Sequence, residues 1–518
     1  MPNTVWYSCS PFETGDIKTG SPTITISSGV ATLSVAQTGN IGCGDCIEYA
    51  STAVYIAPNR LGFDSGGTTE IKVGDKIQGA TSGATGIIRA VELTSGSWSG
   101  GDAAGYFYFE QTTGTWQDNE TINRIRPSSA SNVATVNGTL QGNIGNGNTQ
   151  FVVKTATGGT PSDQSSTSVT SIHHEYASLV DLEAGFTDAN HLNSTDLTSA
   201  GADVIVHACC YYDHSDYTAD SPVAIDFGTT DTTHYFFTFT PMGNNESINK
   251  QRHDGKWNSQ RYEIVGSSDS AAFQFSMKNI WVDGLLLQNT KSGNNSRGVR
   301  FVTYGSGLGI KIANTIIKAA TGITGDDPLG INLPGASSDE IYIWNVIIQD
   351  FESSGGTGKA FYAESNGIKA YIYNVSVVNC ENGFYGGGNE YTLIRNCLAQ
   401  SCTDGFVGTF DSDSDYNCSD ISGDAPGANS VTGTVSFVDT ANDNYHLASS
   451  DTVAKDAGYD LSTDPYLPIW RDIDGEDRVG GTWDIGADEY VATGGAGAIM
   501  NQFQKSNLGA DLFNGSLL

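Results

Sequence analysis

The chain carries several sets of residues whose types and spacing could do chemistry. Asp350 and Glu352 follow the apolar run IYIWNVII (341–348), Glu381 follows YIYNVSVV (371–378), and Arg395 sits inside TLIRNCLA (392–399). Two carboxylates facing one groove are the machinery of glycoside hydrolysis. An acid at a strand end is more commonly just solvated, and no two of these charges hold matching places in successive segments. The stretch QRHDGKWNSQRY (251–262) puts Arg252, Lys256 and Arg261 beside Trp257 and Tyr262. Trp257 could stack a sugar ring while Arg252, Lys256 and Tyr262 grip hydroxyls or carboxylates. The plainer role is a structural loop pairing with an acidic surface. RDIDGED (471–477) spaces Asp472, Asp474 and Asp477 around Gly475 like a calcium loop. An EF-hand requires Glu twelve positions along, and position 483 is Trp, so only a looser Ca²⁺ site fits. Cys43-Gly-Asp-Cys46 has C-x-x-C spacing, but no second pair and no His pair follows at zinc-finger spacing. The nine cysteines then read as small apolar side chains in strands.

These residues are set in a chain that reads as all-β. Its 518 residues carry 63 Gly and only 16% charged residues, and no long window shows helical periodicity. Short β-branched or aromatic runs end repeatedly in Gly, Asn, Asp or Ser. EYASLVDLEAGF (175–186) is the one good helix candidate. With Lys+Arg 25 against Asp+Glu 58, the net charge is −33. That excess disfavours nucleic acid as a partner. The N-terminus lacks a basic and apolar leader, and no apolar run is long enough to span a membrane. Assembly in a reducing cytoplasm without a signal peptide is the expectation.

Five segments align on one position: IWVDGLLL, IKIANTII, IYIWNVII, AYIYNVSVV and TLIRNCLA. That position holds Gly284, Asn314, Asn345, Asn374 and Asn396, and DSDYNCSD adds Asn417. The spacings are 30, 31, 29, 22 and 21 residues, a drifting period that signals a solenoid. Each segment reads as a strand, a sharp bend and a second strand. Asn tolerates the left-handed backbone of such a bend. If each bend lies over the last, the amides of Asn314, Asn345, Asn374, Asn396 and Asn417 can stack as a ladder.

This repeat resembles the right-handed parallel β-helix proteins of the pectate-lyase-like superfamily, over about residues 175–490. The closing DIGADEY (484–490) and the Gly/Ala linker with an apolar tail resemble the ends of bacteriophage-type β-helix proteins. The resemblance implies a β-helix solenoid preceded by small β-rich domains. On that reading residues 1–63 form an N-terminal β-domain completed by 149–172, and 64–148 an inserted β-module. Residues 173–490 form the solenoid, and 491–518 a linker and docking tail. It implies a structural or binding protein of a virion, such as a spike, fibre or capsid-decorating protein. Such a protein would be a homotrimer contacting other virion proteins and surface polysaccharide. The alternative it implies is a polysaccharide lyase or hydrolase, with Arg395 as a base among the carboxylates. No motif demands a cofactor, and Ca²⁺ is the one ion with candidate ligands.

Overall fold

The computed structural model describes residues 2–492 except 12–14, 213–217, 268–270, 292–295, 303–308, 321–326, 334–339, 364–368, 387–390 and 479. Of the linker and docking tail assigned to 491–518, residues 493–518 lie outside the described residues. The chain is all-β with large parallel sheets. Among the described residues the one α-helix is Leu179–Gly185, started by Ser178, whose hydroxyl accepts the Asp181 N–H. Its Leu179 and Leu182 enter the main core. No described helix is long and apolar enough to cross a membrane.

Two antiparallel closed barrels come first. One combines strands from 23–57 with Gln150–Lys154 and Gln164–His173, and the other takes strands from 60–136. The second fills its interior with stacked rings: Phe63 on Phe107 and Trp98, and Phe109 on Trp116. The strand Asn3–Cys9 departs from the N-terminal domain assigned to 1–63. It pairs in parallel with Val204–Cys210 and so forms the first rung of the large sheet. Its run of buried residues explains the placement, because a strand buried on both faces suits a covered parallel sheet.

From Val204 onward parallel strands repeat in three columns. The first runs through Phe236–Phe239, Ile280–Asp283, Ile310–Ala313 and the leading halves of Glu340–Gln349 and Lys369–Val378. The second holds Glu263–Gly266, Leu286–Asn289, Ile316–Ala319 and the trailing halves of the same two strands. The third is a separate seven-stranded sheet running from Val223–Ile225 to Asp404–Val407. One core takes alternate residues from all three columns, for example Ile312, Ile343 and Ile372, then Leu287, Ile317 and Ile348, then Val299, Ile331 and Phe361.

Between the first two columns the chain bends at Gly284, Asn314, Asn345, Asn374 and Asn396, all at positive φ. The Nδ2 of Asn345 donates to Asn314 Oδ1 at 3.0 Å, Asn374 to Asn345 at 3.2 Å and Asn396 to Asn374 at 3.1 Å. Asn417 stands apart from this row. There Tyr416 takes the positive φ instead, and the Asn417 amide bonds the Cys397 N–H and the Ile394 carbonyl. Part of the stretch assigned to the solenoid, 173–490, also differs. Phe437–Asp439 and Asn444–Leu447 form an antiparallel pair, and Phe437, Tyr445, Ile473 and Ala487 cover the outer side of the second column.

Candidate functional site

Strand alternation places two rows of side chains on the outer side of the first column. One row reads Trp6, His207, Phe237, Trp281, Lys311, Tyr342, Tyr371 and Leu393 across successive strands. The other reads Cys209, Phe239, Asp283, Ala313, Trp344, Tyr373 and Arg395. An outer sheet face this aromatic is unfavourable in water unless covered. Ala90 and Tyr108 of the second barrel cover its beginning, against Trp6, Phe237 and Phe239. Leu461, Leu467, Ile469 and Trp483 cover its end, against Tyr371, Tyr373 and Leu393. The middle rungs stay open between the two covers as a cavity of about 520 Å³.

Trp281, Lys311, Tyr342 and Trp344 form the cavity's floor, and Tyr466 and Trp470 rise on one side. The rings are held rigidly. Trp281 stacks on Tyr235 at 4.3 Å, and Tyr342 stacks on Tyr371, which stacks on Tyr466. Trp470 donates its indole N–H to the Gly74 carbonyl. The Lys311 Nζ lies 3.5 Å from the centre of the Trp281 ring. Among the described residues no carboxylate pairs with it. Burial, with a smaller push from Lys72, lowers its pKa to about 8.

Below the rings lies a buried charge network that also lines the cavity. Arg89 reaches Glu246 at 2.5 Å, Asp283 at 3.0 Å and Glu110 at 3.1 Å. Arg252 reaches Asp283, and Arg471 reaches Glu110, each at 2.5 Å. Three guanidiniums thus balance three carboxylates drawn from the second barrel, the 241–253 loop, the parallel sheet and the C-terminal segment. Burial opposes ionisation of Glu110, yet Arg471 and Arg89 hold it down to about 2. Asp283 is likewise held far below its usual range by Arg252 and Arg89 against the cost of burial. Asn314 donates to Asp283 at 2.7 Å, so the asparagine row ends on this network.

The charges singled out in the sequence do not converge. Glu381 accepts the N–H groups of Ser353 and Gly358 and so shapes a loop. Arg395 is paired with Asp464 at 2.6 Å. Asp350 follows a strand after the bend, whereas Arg395 closes a strand before it, and Glu352 is exposed. The 251–262 stretch does not bring its four predicted ligands together at the surface. Arg252 is buried on Asp283, and Tyr262 is buried with its hydroxyl on Asp220 at 2.5 Å. Trp257 packs on the outer side of the second column, and of the four predicted ligands only Lys256 is exposed. The acids of 471–477 point three ways. Asp472 is buried, accepting the N–H groups of Asp474, Glu476 and Glu489. Asp477 pairs with Lys76, and Asp474 with His446 at 2.8 Å. Arg252, Arg395, Asp474 and Asp477 are each claimed by a partner distant in sequence.

The His446–Asp474 pair makes stability depend on pH. Burial works against the charged imidazole, but Asp474, with Asp488 and Asp472 behind it, outweighs burial and raises His446 to about 9. A raised folded-state pKa contributes stability that is complete below about 6.5 and is lost as pH rises through 9. Urea unfolding is expected to show about 2 kcal/mol of stability lost between pH 6.5 and 9.5. His446→Gln should flatten that window.

The groove could have been found in the repeat. Trp281, Lys311 and Tyr342 stand three residues before the bend, and Trp344 one before it. No protein-family model, curated protein or solved structure matches the chain, so its function is read from the groove and the network beneath it.

Proposed function

We propose that the protein is a glycan-binding protein built on a right-handed parallel β-helix, and that the aromatic groove is its binding site. Three columns of parallel strands around one core, with an asparagine at each bend, support the β-helix. Right-handed connection is the rule for parallel strands. The observation that carries the binding site is the open row of Trp281, Tyr342 and Trp344 with an amine among them. Sugar rings present C–H faces to aromatic planes and hydroxyls to donors such as the Lys311 ammonium. Binding is favoured over hydrolysis because the acids of the groove are engaged: Glu110 and Asp283 by guanidiniums, and Asp75 by the Lys72 N–H with Arg124 behind it. A place on a bacteriophage particle, as a trimer touching other virion proteins, belongs to the same proposal and is supported by the resemblance of the closing segment and tail.

A panel of neutral and acidic polysaccharides tests this. Trp344→Ala and Tyr342→Ala should each weaken binding about tenfold, or 1.4 kcal/mol. Trp257→Ala, outside the groove, should leave affinity unchanged. Equal loss in all three variants would move the site elsewhere. Release of unsaturated or reducing ends would replace binding with depolymerase activity.

A further inference from the structure

Far from the groove, at the junction of the first barrel and the parallel sheet, three metal-ligand types meet. Cys46 and His173 are direct cross-strand partners at the ends of Cys46–Tyr49 and Gln164–His173. Glu175 lies two residues further on. The Cys46 Sγ, a His173 ring nitrogen and a Glu175 carboxylate oxygen all lie within 4.8 Å of one another. The His173 Nε2 is 3.8 Å from Glu175 Oε2. That is slightly wider than the edge, about 3.3–3.6 Å, that tetrahedral zinc bonds of about 2.0–2.2 Å to nitrogen and oxygen imply.

The surroundings prepare these atoms as ligands. The Ser171 hydroxyl donates to Glu48 Oε2 at 2.6 Å, so its oxygen is left to accept from His173 Nδ1–H at 3.3 Å. That arrangement leaves Nε2, the nitrogen 3.8 Å from Glu175, as the ring atom available to a metal. Glu175 is oriented from behind, since its Oε1 bonds His191 Nε2 at 2.7 Å. Its other oxygen, Oε2, is buried beside Cys46 and His173. The Cys46 thiol hydrogen-bonds this carboxylate, so a bound cation takes the place of the thiol proton between sulfur and oxygen. Outer partners that fix a His tautomer and a carboxylate are the usual support of a metal site.

We propose that Cys46, His173 and Glu175 bind a divalent zinc-type cation, with water completing a tetrahedron. A sulfur, nitrogen and oxygen set suits zinc over the hard cations Ca²⁺ and Mg²⁺. Binding exchanges the Cys46 S–H bond for a sulfur–metal bond, releases that proton to solvent and changes no oxidation state. It would clamp the first barrel to the segment that enters the parallel sheet.

The full-length protein, dialysed against chelator, is titrated calorimetrically with Zn²⁺ and spectroscopically with Co²⁺. One equivalent should bind, and cobalt should give a thiolate-to-metal charge-transfer band. Cys46→Ser and His173→Gln should abolish both, and Ser171→Ala should weaken zinc 10–100-fold. Asp474→Asn, in the separate His446–Asp474–Asp488 group, should change nothing. Absence of binding, or a cobalt complex without the band, overturns the proposal. So does binding that survives His173→Gln or is lost in Asp474→Asn. The His173 side chain is one-fifth exposed, so its variant and the wild-type cobalt spectrum decide the matter even if Cys46→Ser does not fold.

Discussion

Replacing Arg89 with alanine is expected to destabilise the protein by about 3–5 kcal/mol, the cost of leaving buried carboxylates without their partner. Arg89 is 2% exposed and, among the described residues, is the one guanidinium that touches Glu246, Glu110 and Asp283 together. The three acids will not suffer equally. Glu110 keeps Arg471 and Asp283 keeps Arg252, whereas among the described residues Glu246 keeps only the Met242 N–H. Burial already lifts Glu246 to about 7, with the Arg89 charge restraining it. Without Arg89 it must take up a proton. A carboxyl whose folded pKa is raised gains stability as pH falls from that value toward 4.5. The penalty of Arg89→Ala should therefore be larger at pH 8 than at pH 5.5 when measured by urea unfolding. Glu110 and Asp283 act in the opposite sense. Their depressed values give stability that is present above about 4.5 and is lost as pH falls toward 2. A penalty that is the same at both pH values would mean that Glu246 is not the residue stranded. Because Arg89 and Glu110 belong to the second barrel and Asp283 to the sheet, the variant should also loosen that barrel, and with it one wall of the groove.

The same network shows what the sequence could and could not reveal. A left-handed bend between two strands admits few residue types, so Asn314, Asn345, Asn374 and Asn396 mark it legibly. Their apolar neighbours reveal the buried face by alternation. The outward residues Trp281, Lys311, Tyr342 and Trp344 were equally visible in the aligned segments. What was hidden was that they stay uncovered, because the covers come from residues near 90–108 and 461–483. No local spacing encodes that. Charges misled for the same reason. Arg252 reads as a surface residue beside Lys256, yet its counter-ion Asp283 lies in a strand of the next rung. Asn417 misled by a single place. It shares the spacing of the row, but Tyr416 takes the bend, and the Asn417 side chain turns to backbone groups. Cys46 and His173 are invisible as a pair until barrel closure makes them neighbours.

Asn345→Leu is expected to cost about 4 kcal/mol or more, and two companion variants separate the causes. The Asn345 Nδ2 serves two acceptors, Asn314 Oδ1 at 3.0 Å and the Arg471 carbonyl at 2.9 Å, and its Oδ1 accepts from Asn374. Leucine leaves all three without that partner in a site where Asn345 is 2% exposed, at about 1–3 kcal/mol for each group left unsatisfied. It also forces a bulky side chain into a backbone at φ 52, worth about 1–2 kcal/mol. Asn345→Gly removes the same hydrogen bonds but not the backbone freedom, so it should be the milder by about 1–2 kcal/mol. Gly284, at the matching bend, shows that glycine is accepted where another donor fills the place. A Cβ there would meet the Arg252 guanidinium at 2.3 Å. Asn345→Asp keeps the acceptor for Asn374 but loses both donations and sets a carboxylate against Asn314 Oδ1. The amides of the row all point one way, from Asn396 toward Asp283, so each bond is polarised by the next and the last is charge-assisted. Breaking the row at Asn345 should thus weaken the grip of Asn314 on Asp283 as well. The double variant Asn345→Leu with Arg252→Met should then differ from the sum of the singles by more than about 0.5 kcal/mol, the additivity expected of independent sites. Additive losses would mean that the asparagine row and the charge network are neighbours without being one structure.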